Sequence, residues 1–270
     1  LLRVACGEAF KDDADAVLLQ MAALLELPAQ DTADKGPAVA ALRLLSMSHQ
    51  DLRVRLAALW SLSQVGPPDE TASWLSERLS LEPDVKARGA ILEVMKELPG
   101  ARSIEILSSQ VRAGSDRAIA VEACQILGAL SEKTREAKAA LTKLLGAIEN
   151  EPALLAATID ALAKGPPDPT LSPRIDPYLS HPEEDVRVAA VWFLLKNSPQ
   201  DGIKKFGTLA ANDASVYVRK IAVQALTGAT AREQAGWVRQ SLESMQASES
   251  NPDVRRSIKE SLSELQRRFP

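Results

Sequence analysis

A short block recurs along this chain at nearly constant spacing, and it limits the fold more than any other feature. Each block opens on an aliphatic anchor, usually followed by Arg or Lys, with a small or apolar residue at +4 and an apolar residue near +8. The copies are Val54-Arg55 with Ala58 and Leu62, Val85-Lys86 with Gly89, Ile119-Ala120 with Ala123 and Leu127, and Leu154-Leu155 with Thr158 and Leu162. Three more follow: Val186-Arg187 with Ala190 and Leu194, Val218-Arg219 with Ala222 and Leu226, and Val254-Arg255 with Ile258 and Leu262. Leu2-Arg3 with Cys6 and Phe10 opens the chain with an eighth. Anchors 54, 85, 119, 154, 186, 218 and 254 lie 31, 34, 35, 32, 32 and 36 residues apart, the length of one helical hairpin. A period in this range signals stacked supersecondary units, each too small to bury its own apolar face.

Positions 0, +4, +7 and +8 share one helical face, so each block predicts a helix buried along that stripe, with the small +4 residue admitting a neighbouring helix. A second amphipathic stretch precedes each anchor, near residues 37–48, 70–81, 101–113, 134–147, 171–180, 201–211 and 231–247. Pro83-Asp84, Pro152 and Pro252-Asp253 stand where a helix start tolerates proline and its dipole favours an acid, with Asp185 in a similar place. Gly66-Pro67-Pro68, Pro99-Gly100 and Gly165-Pro166-Pro167 read as turns. Pro177 falls inside a predicted first helix, which predicts that this helix is short or bent. Phe, Tyr and Trp total only 4, 2 and 4 of 270 residues, and the apolar fraction rests on Ala and Leu, composition that favours packed helices over sheets.

The [Val/Ile/Leu]-[Arg/Lys] second helix after an Asp/Pro-rich turn, recurring in register over residues 36–270, resembles HEAT repeats, of the short-period bacterial type. The resemblance implies an all-α fold, an α-solenoid of about seven to eight antiparallel hairpins. Residues 1–35 then form an N-terminal partial repeat, an extra helix near 14–27 and an irregular linker, and the polar-faced last helix caps the solenoid. Because the chain starts at Leu1 inside a second-helix pattern, it reads as a fragment or processed chain of something longer.

In such repeats the second helices line the concave side, so the resemblance implies exposure at +2, +3, +6 and +10. The expected partner-binding residues are Leu56, Trp60, Arg88, Ile91, Val121, Glu122, Gln125, Asp160, Val188, Trp192, Lys220 and Gln224. Two tryptophans in the mostly polar +6 column suggest binding anchors; the alternative is that they fill gaps between repeats. Trp74 and Trp237, in first helices, read as packing between repeats. The resemblance also implies a ladder of Arg55, Lys86, Arg187, Arg219 and Arg255 with turn acids five residues before each anchor. Asp213 holds that place, whereas His49, Ser80, His181 and Glu249 occupy it elsewhere; Ala120 and Leu155 interrupt the ladder mid-chain.

The function expected is a non-catalytic scaffold holding a protein or peptide partner, alone or within a larger complex, on the concave face. Two alternatives stand beside it: a HEAT-like enzyme resembling DNA glycosylases or bilin lyases, and a structural subunit of an assembly. No catalytic residue, metal site or cofactor is expected: two Cys and two His show no ligand spacing, and there is no phosphate-cradling glycine loop. With 32 Lys and Arg against 36 Asp and Glu, the chain has no global attraction for nucleic acid, and no apolar run is long enough for membrane insertion. Cys6 and Cys124 read as buried thiols, in keeping with a cytoplasmic location.

Overall fold

A computed structural model describes Ala23 and residues 35–98, 100–112 and 116–270, with Lys86 described by its backbone alone. Helices α1 (Gly36–Ser48), α2 (Leu52–Val65), α3 (Pro68–Leu81), α4 (Val85–Met95), α5 (Ala101–Arg112), α6 (Arg117–Ser131) and α7 (Arg135–Leu145) come first. They are followed by α8 (Pro152–Lys164), α9 (Ser172–Ile175), α10 (Glu184–Asn197), α11 (Pro199–Asn212), α12 (Val216–Ala229), α13 (Ala235–Ser248) and α14 (Pro252–Arg268). No strand occurs among the described residues. Each even-numbered helix is the second of a hairpin, and the anchors Val54, Ile119, Leu154, Val186, Val218 and Val254 are all buried. Burying one such side chain stabilises by roughly 1.5–3 kcal/mol, so within each unit a series of similar contacts between hairpins, not one central core, holds the described helices together.

At several second helices the start is set by a side-chain cap three residues before the anchor. Asp51 accepts the Arg53 N–H at 2.8 Å, and Ser215 accepts the Val218 N–H at 3.3 Å. Asn251 accepts the N–H groups of Asp253 and Val254 at 3.0 and 3.3 Å, satisfying donors that a helix leaves orphaned. Around Pro177 the first helix is indeed short: α9 has only four residues and continues as a 3-10 turn over Asp176–Ser180. Proline there lacks the N–H and clashes with the preceding turn.

The second hairpin corrects the register read from the sequence. Its cap is Asp84, which accepts the Ala87 N–H at 2.8 Å, and three residues beyond Asp84 is Ala87, not Val85. Val85 is 44% exposed while Ala87 is buried, so Ala87 is the anchor and every position moves by two. The basic +1 residue becomes Arg88, and the acid five before the anchor becomes Glu82 instead of Ser80. Val85 is the better hydrophobe, but the cap and the proline before it decide where the helix turns inward.

The chain divides into two compact units: Leu1–Leu130 with Thr134–Ala140, and Ser131–Lys133 with Leu141–Pro270. In unit 1 second helix packs on second helix (α2 on α4) and first on first (α3 on α5). In unit 2 the second helices α8, α10, α12 and α14 pack in succession, with α11 beside α13. The expected N-terminal segment, residues 1–35, lies outside the described residues except for Lys35 and Ala23, which is buried in one cluster with Leu42, Leu45, Val54, Ala58 and Leu62 of the first hairpin.

Candidate functional site

Within each unit two rows of side chains follow from this stacking, one along the turns and one along the exposed face of the second helices. The turn row is the ladder. In unit 2, Arg187 donates from Nε and Nη2 to Asp213 at 2.8 Å each, and from Nη1 to the carbonyls of His181 and Pro182 at 2.7 and 2.8 Å. One hairpin later Arg219 repeats the arrangement, reaching Glu249 at 2.8 and 3.1 Å and the carbonyls of Asp213 and Ala214 at 2.8 and 3.2 Å. The longer Glu249 thus does the work of an Asp, and its hydrogen bond to Arg219 holds its pKa below the usual carboxylate value.

Unit 1 builds its ladder differently. Arg55 donates to the carbonyls of His49 and Gln50 at 2.9 and 3.1 Å but makes no ion pair among the described residues; the next turn acid, Glu82, is held instead by Arg78 of its own hairpin. Arg88 bridges to Asp116 of the following hairpin at 3.3 Å. It takes the place expected of Lys86, whose side chain is outside the description. Arg255 is exposed and makes no ladder ion pair among the described residues, a correction to its expected role. Where Ala120 and Leu155 replace the base, the rung is apolar and buried.

Turn position −5 has a second duty that the sequence did not disclose. Its side chain accepts the backbone N–H two residues on: Glu82 from Asp84 at 3.3 Å, Asp213 from Ser215 at 2.8 Å and Glu249 from Asn251 at 2.8 Å. His49 and His181 do the same through Nδ1, accepting from Asp51 and Glu183 at 3.1 Å each. Imidazole nitrogen and carboxylate oxygen are interchangeable as acceptors at this reach, which is why histidine recurs at an acid's position.

The second row carries the expected partner-binding residues. Trp60 in unit 1 and Trp192 in unit 2 are each 38% exposed, and Gln125, Asp160 and Gln224 are exposed at the same +6 position. Leu56, Arg88, Val121, Glu122, Val188 and Lys220 are half-buried. Ile91 is the exception: at 1% exposure it is core, and it does not belong to the row. With Ala87 as anchor, Ile91 falls at +4, the buried stripe, and the exposed +6 residue is Glu93, which the unshifted register overlooked. Cap spacing was the signal available for finding it.

Two carboxylates in this row are electrostatically perturbed. Glu122, on α6, lies over Gly89 of α4, its Oε2 2.7 Å from where a Cβ would stand. Burial there raises its pKa, and the neighbouring Glu93 raises it further. Asp160, an exposed residue overall, is raised chiefly by desolvation of its carboxyl group and further by Asp185, with Lys164 opposing. Lys196 is committed elsewhere: its Nζ donates to the carbonyls of Ala163, Lys164 and Gly165 at 2.5, 3.1 and 2.9 Å, a cation on the C-terminal end of α8. In the first helices, Trp74 packs on the α1–α2 cluster, whereas Trp237 is 44% exposed with its ring edge at Gly207 of the preceding hairpin. Among the described residues no group of three or more His, Cys, Asp and Glu side chains stands ready to hold a metal ion, and no helix is long and apolar enough to cross a membrane. Cys124 is a buried thiol; Cys6 lies outside the described residues.

No family model and no curated protein matches the sequence. Solved structures do match the fold. The archaeal HEAT-like repeats protein from Thermococcus onnurineus NA1 is 16% identical, with 86% of this chain and 98% of that chain covered at a TM-score of 0.52. The complex of CpcE and CpcF of phycocyanin lyase from Nostoc sp. PCC7120 is 18% identical over 87% of this chain and 98% of that one, at a TM-score of 0.42. With its hairpins, buried anchors and stacked second helices, the chain has the all-α solenoid fold of HEAT-like repeat proteins.

Proposed function

We propose that the chain is a non-catalytic interaction scaffold that holds a protein or peptide partner on the exposed face of its second helices. The observation that carries this reading is the pair of tryptophans, Trp60 and Trp192, each 38% exposed at one register position of an otherwise polar row. A half-exposed indole on a helix face offers a large, rigid contact at small entropic cost, which is why tryptophan dominates binding hot spots. Leu56, Val121 and Val188 beside the row add apolar area. Both described histidines are committed to turn N–H groups, which favours a scaffold over acid-base chemistry.

Panning a random peptide library against the chain, with Trp60→Ala, Trp192→Ala and the double variant as comparators, tests the reading. Selected peptides should lose roughly thirtyfold in affinity for each indole that they contact, the equivalent of about 2 kcal/mol. Peptides that bind the double variant as tightly as the parent, with unchanged melting curves, would place the interaction elsewhere.

A further inference from the structure

The corrected register changes the charge of the row in unit 1. At positions +2, +3 and +6 of α2, α4 and α6 stand two acids, Glu93 and Glu122, and no lysine or arginine; Glu97 follows in the turn after α4. The same positions of unit 2 mix Lys220 and Arg256 with Asp160 and Glu260. The acidity belongs to these face positions of unit 1 and does not reflect the whole chain.

Within that face Glu122 is the unusual group. Its carboxylate is folded onto α4 in the space that Gly89 leaves open, where every other hairpin has a side chain at +2. It has no hydrogen bond or ion pair among the described residues. Besides its burial, the charge acting on it is a second carboxylate, Glu93. Among the described bases of α4 and the turn after it, Arg88 pairs with Asp116 at 3.3 Å, and Lys96 reaches Glu93 at 3.7 Å but makes no contact with Glu122. A half-buried carboxylate that feels a second one, and has no cation on it among the described side chains, gains from a cation brought to it. Trp60 stands at the same position as Glu93 on the adjoining helix α2, and an indole face accepts a cation or its aliphatic stem.

We infer that the second-helix face of unit 1 docks a basic segment of a protein partner, a lysine or arginine head seated between Glu122 and Glu93 and its stem against Trp60. This rests on the scaffold reading and names the partner's chemistry. Charge complementarity selects the occupant: an acidic segment would add repulsion at Glu122 and Glu93, a neutral one would cover them without a counter-charge, and a basic one supplies it.

Fluorescence anisotropy at low salt tests this with three labelled peptides of about ten residues: alternating Lys/Ala, alternating Glu/Ala and an amphipathic Leu/Ser helix former. The Lys/Ala peptide should bind saturably, and the Glu/Ala peptide should not. Glu122→Gln and Glu93→Gln should each weaken the Lys/Ala peptide roughly tenfold, the weight of one charge-assisted contact. Glu243→Gln, an exposed carboxylate on α13 whose loss changes net charge equally, should leave it unaltered. Both acidic replacements are nearly isosteric, and melting curves establish that they fold. The inference is overturned if the Lys/Ala peptide does not saturate, or if Glu122→Gln and Glu93→Gln act no more strongly than Glu243→Gln. In either case, Trp60-dependent binding of the Leu/Ser peptide would keep the scaffold reading while removing the charge preference. Absence of any Trp60-dependent binding would count against both.

Discussion

Replacing Asp213 by alanine should be among the most damaging single changes to unit 2 outside its apolar core. The carboxylate accepts two 2.8 Å bonds from Arg187 and one of 2.8 Å from the Ser215 N–H. The Arg187 and Asp213 side chains are only 12% and 5% exposed. Removing the acid leaves the guanidinium buried with two carbonyls for company, a situation that costs about 3–5 kcal/mol. The orphaned Ser215 N–H adds about 1 kcal/mol. Arg187→Met removes the charge but keeps the packing stem, so the double variant should be less damaged than the sum of the singles, with a coupling of about 2–3 kcal/mol. Urea unfolding of the four proteins gives the cycle, and hydrogen exchange locates it. Because each hairpin touches only its neighbours, the loss should appear first in the amides of α10 and α12. Arg256 and Asp253, 3.7 Å apart with side chains 72% and 56% exposed, provide the internal control, expected to couple by less than about 0.5 kcal/mol. A comparable value for Arg187 and Asp213 would show that the ladder is decoration.

The next rung predicts a pH dependence. Arg219 holds the Glu249 pKa below 4.5, so this pair's stabilisation is complete above that value and is lost as pH falls through the lowered folded-state pKa. Asp51, lowered to about 2 chiefly by its hydrogen bond from Arg53, acts in the same direction over a more acidic range. Thermal melts from pH 7 to 3 should fall less steeply for Glu249→Gln than for the parent; parallel curves would contradict the assignment. Glu122 and Asp160 have the opposite sign: their raised pKa values make the folded state bind protons more tightly, so Glu122→Gln and Asp160→Asn should raise the melting temperature at pH 7, with the gain vanishing in acid. Two glycines should part ways on substitution by alanine. At Gly207, in the interior of α11, a Cβ meets only the Trp237 ring at 3.5 Å, and the change should stabilise by about 0.5–1 kcal/mol. At Gly66 it would come within 2.4 Å of the Thr71 Oγ1 and 2.9 Å of the Leu62 carbonyl, and denaturation should show a loss of at least about 1 kcal/mol.

Gain of stability on losing Glu122 would fit a group kept for binding at some cost to the fold.

The sequence by itself determined the architecture. Spacing of anchors near Val54, Val186 and Val218, small residues such as Ala58 and Ala190, and turns with proline and acid specify hairpins of one size, because a helix face must be buried and only a neighbouring copy can bury it. Even the broken helix at Pro177 was legible, since the missing N–H acts locally. The tertiary structure decided what depends on neighbours in space. It showed that Ala87 and not Val85 turns inward, which replaced Ile91 by Glu93 in the exposed row; a hydrophobic residue near a helix start reads the same on either side of a cap. It allotted Glu249 to Arg219, 30 positions away, a pairing that turns on side-chain reach between hairpins, while Glu82 was taken by Arg78 four residues before it. It left Trp60 and Trp192 half-exposed, an outcome fixed by the volume that adjoining helices fill. And it laid Glu122 over Gly89, a desolvation produced by two residues 33 positions apart that no local pattern connects.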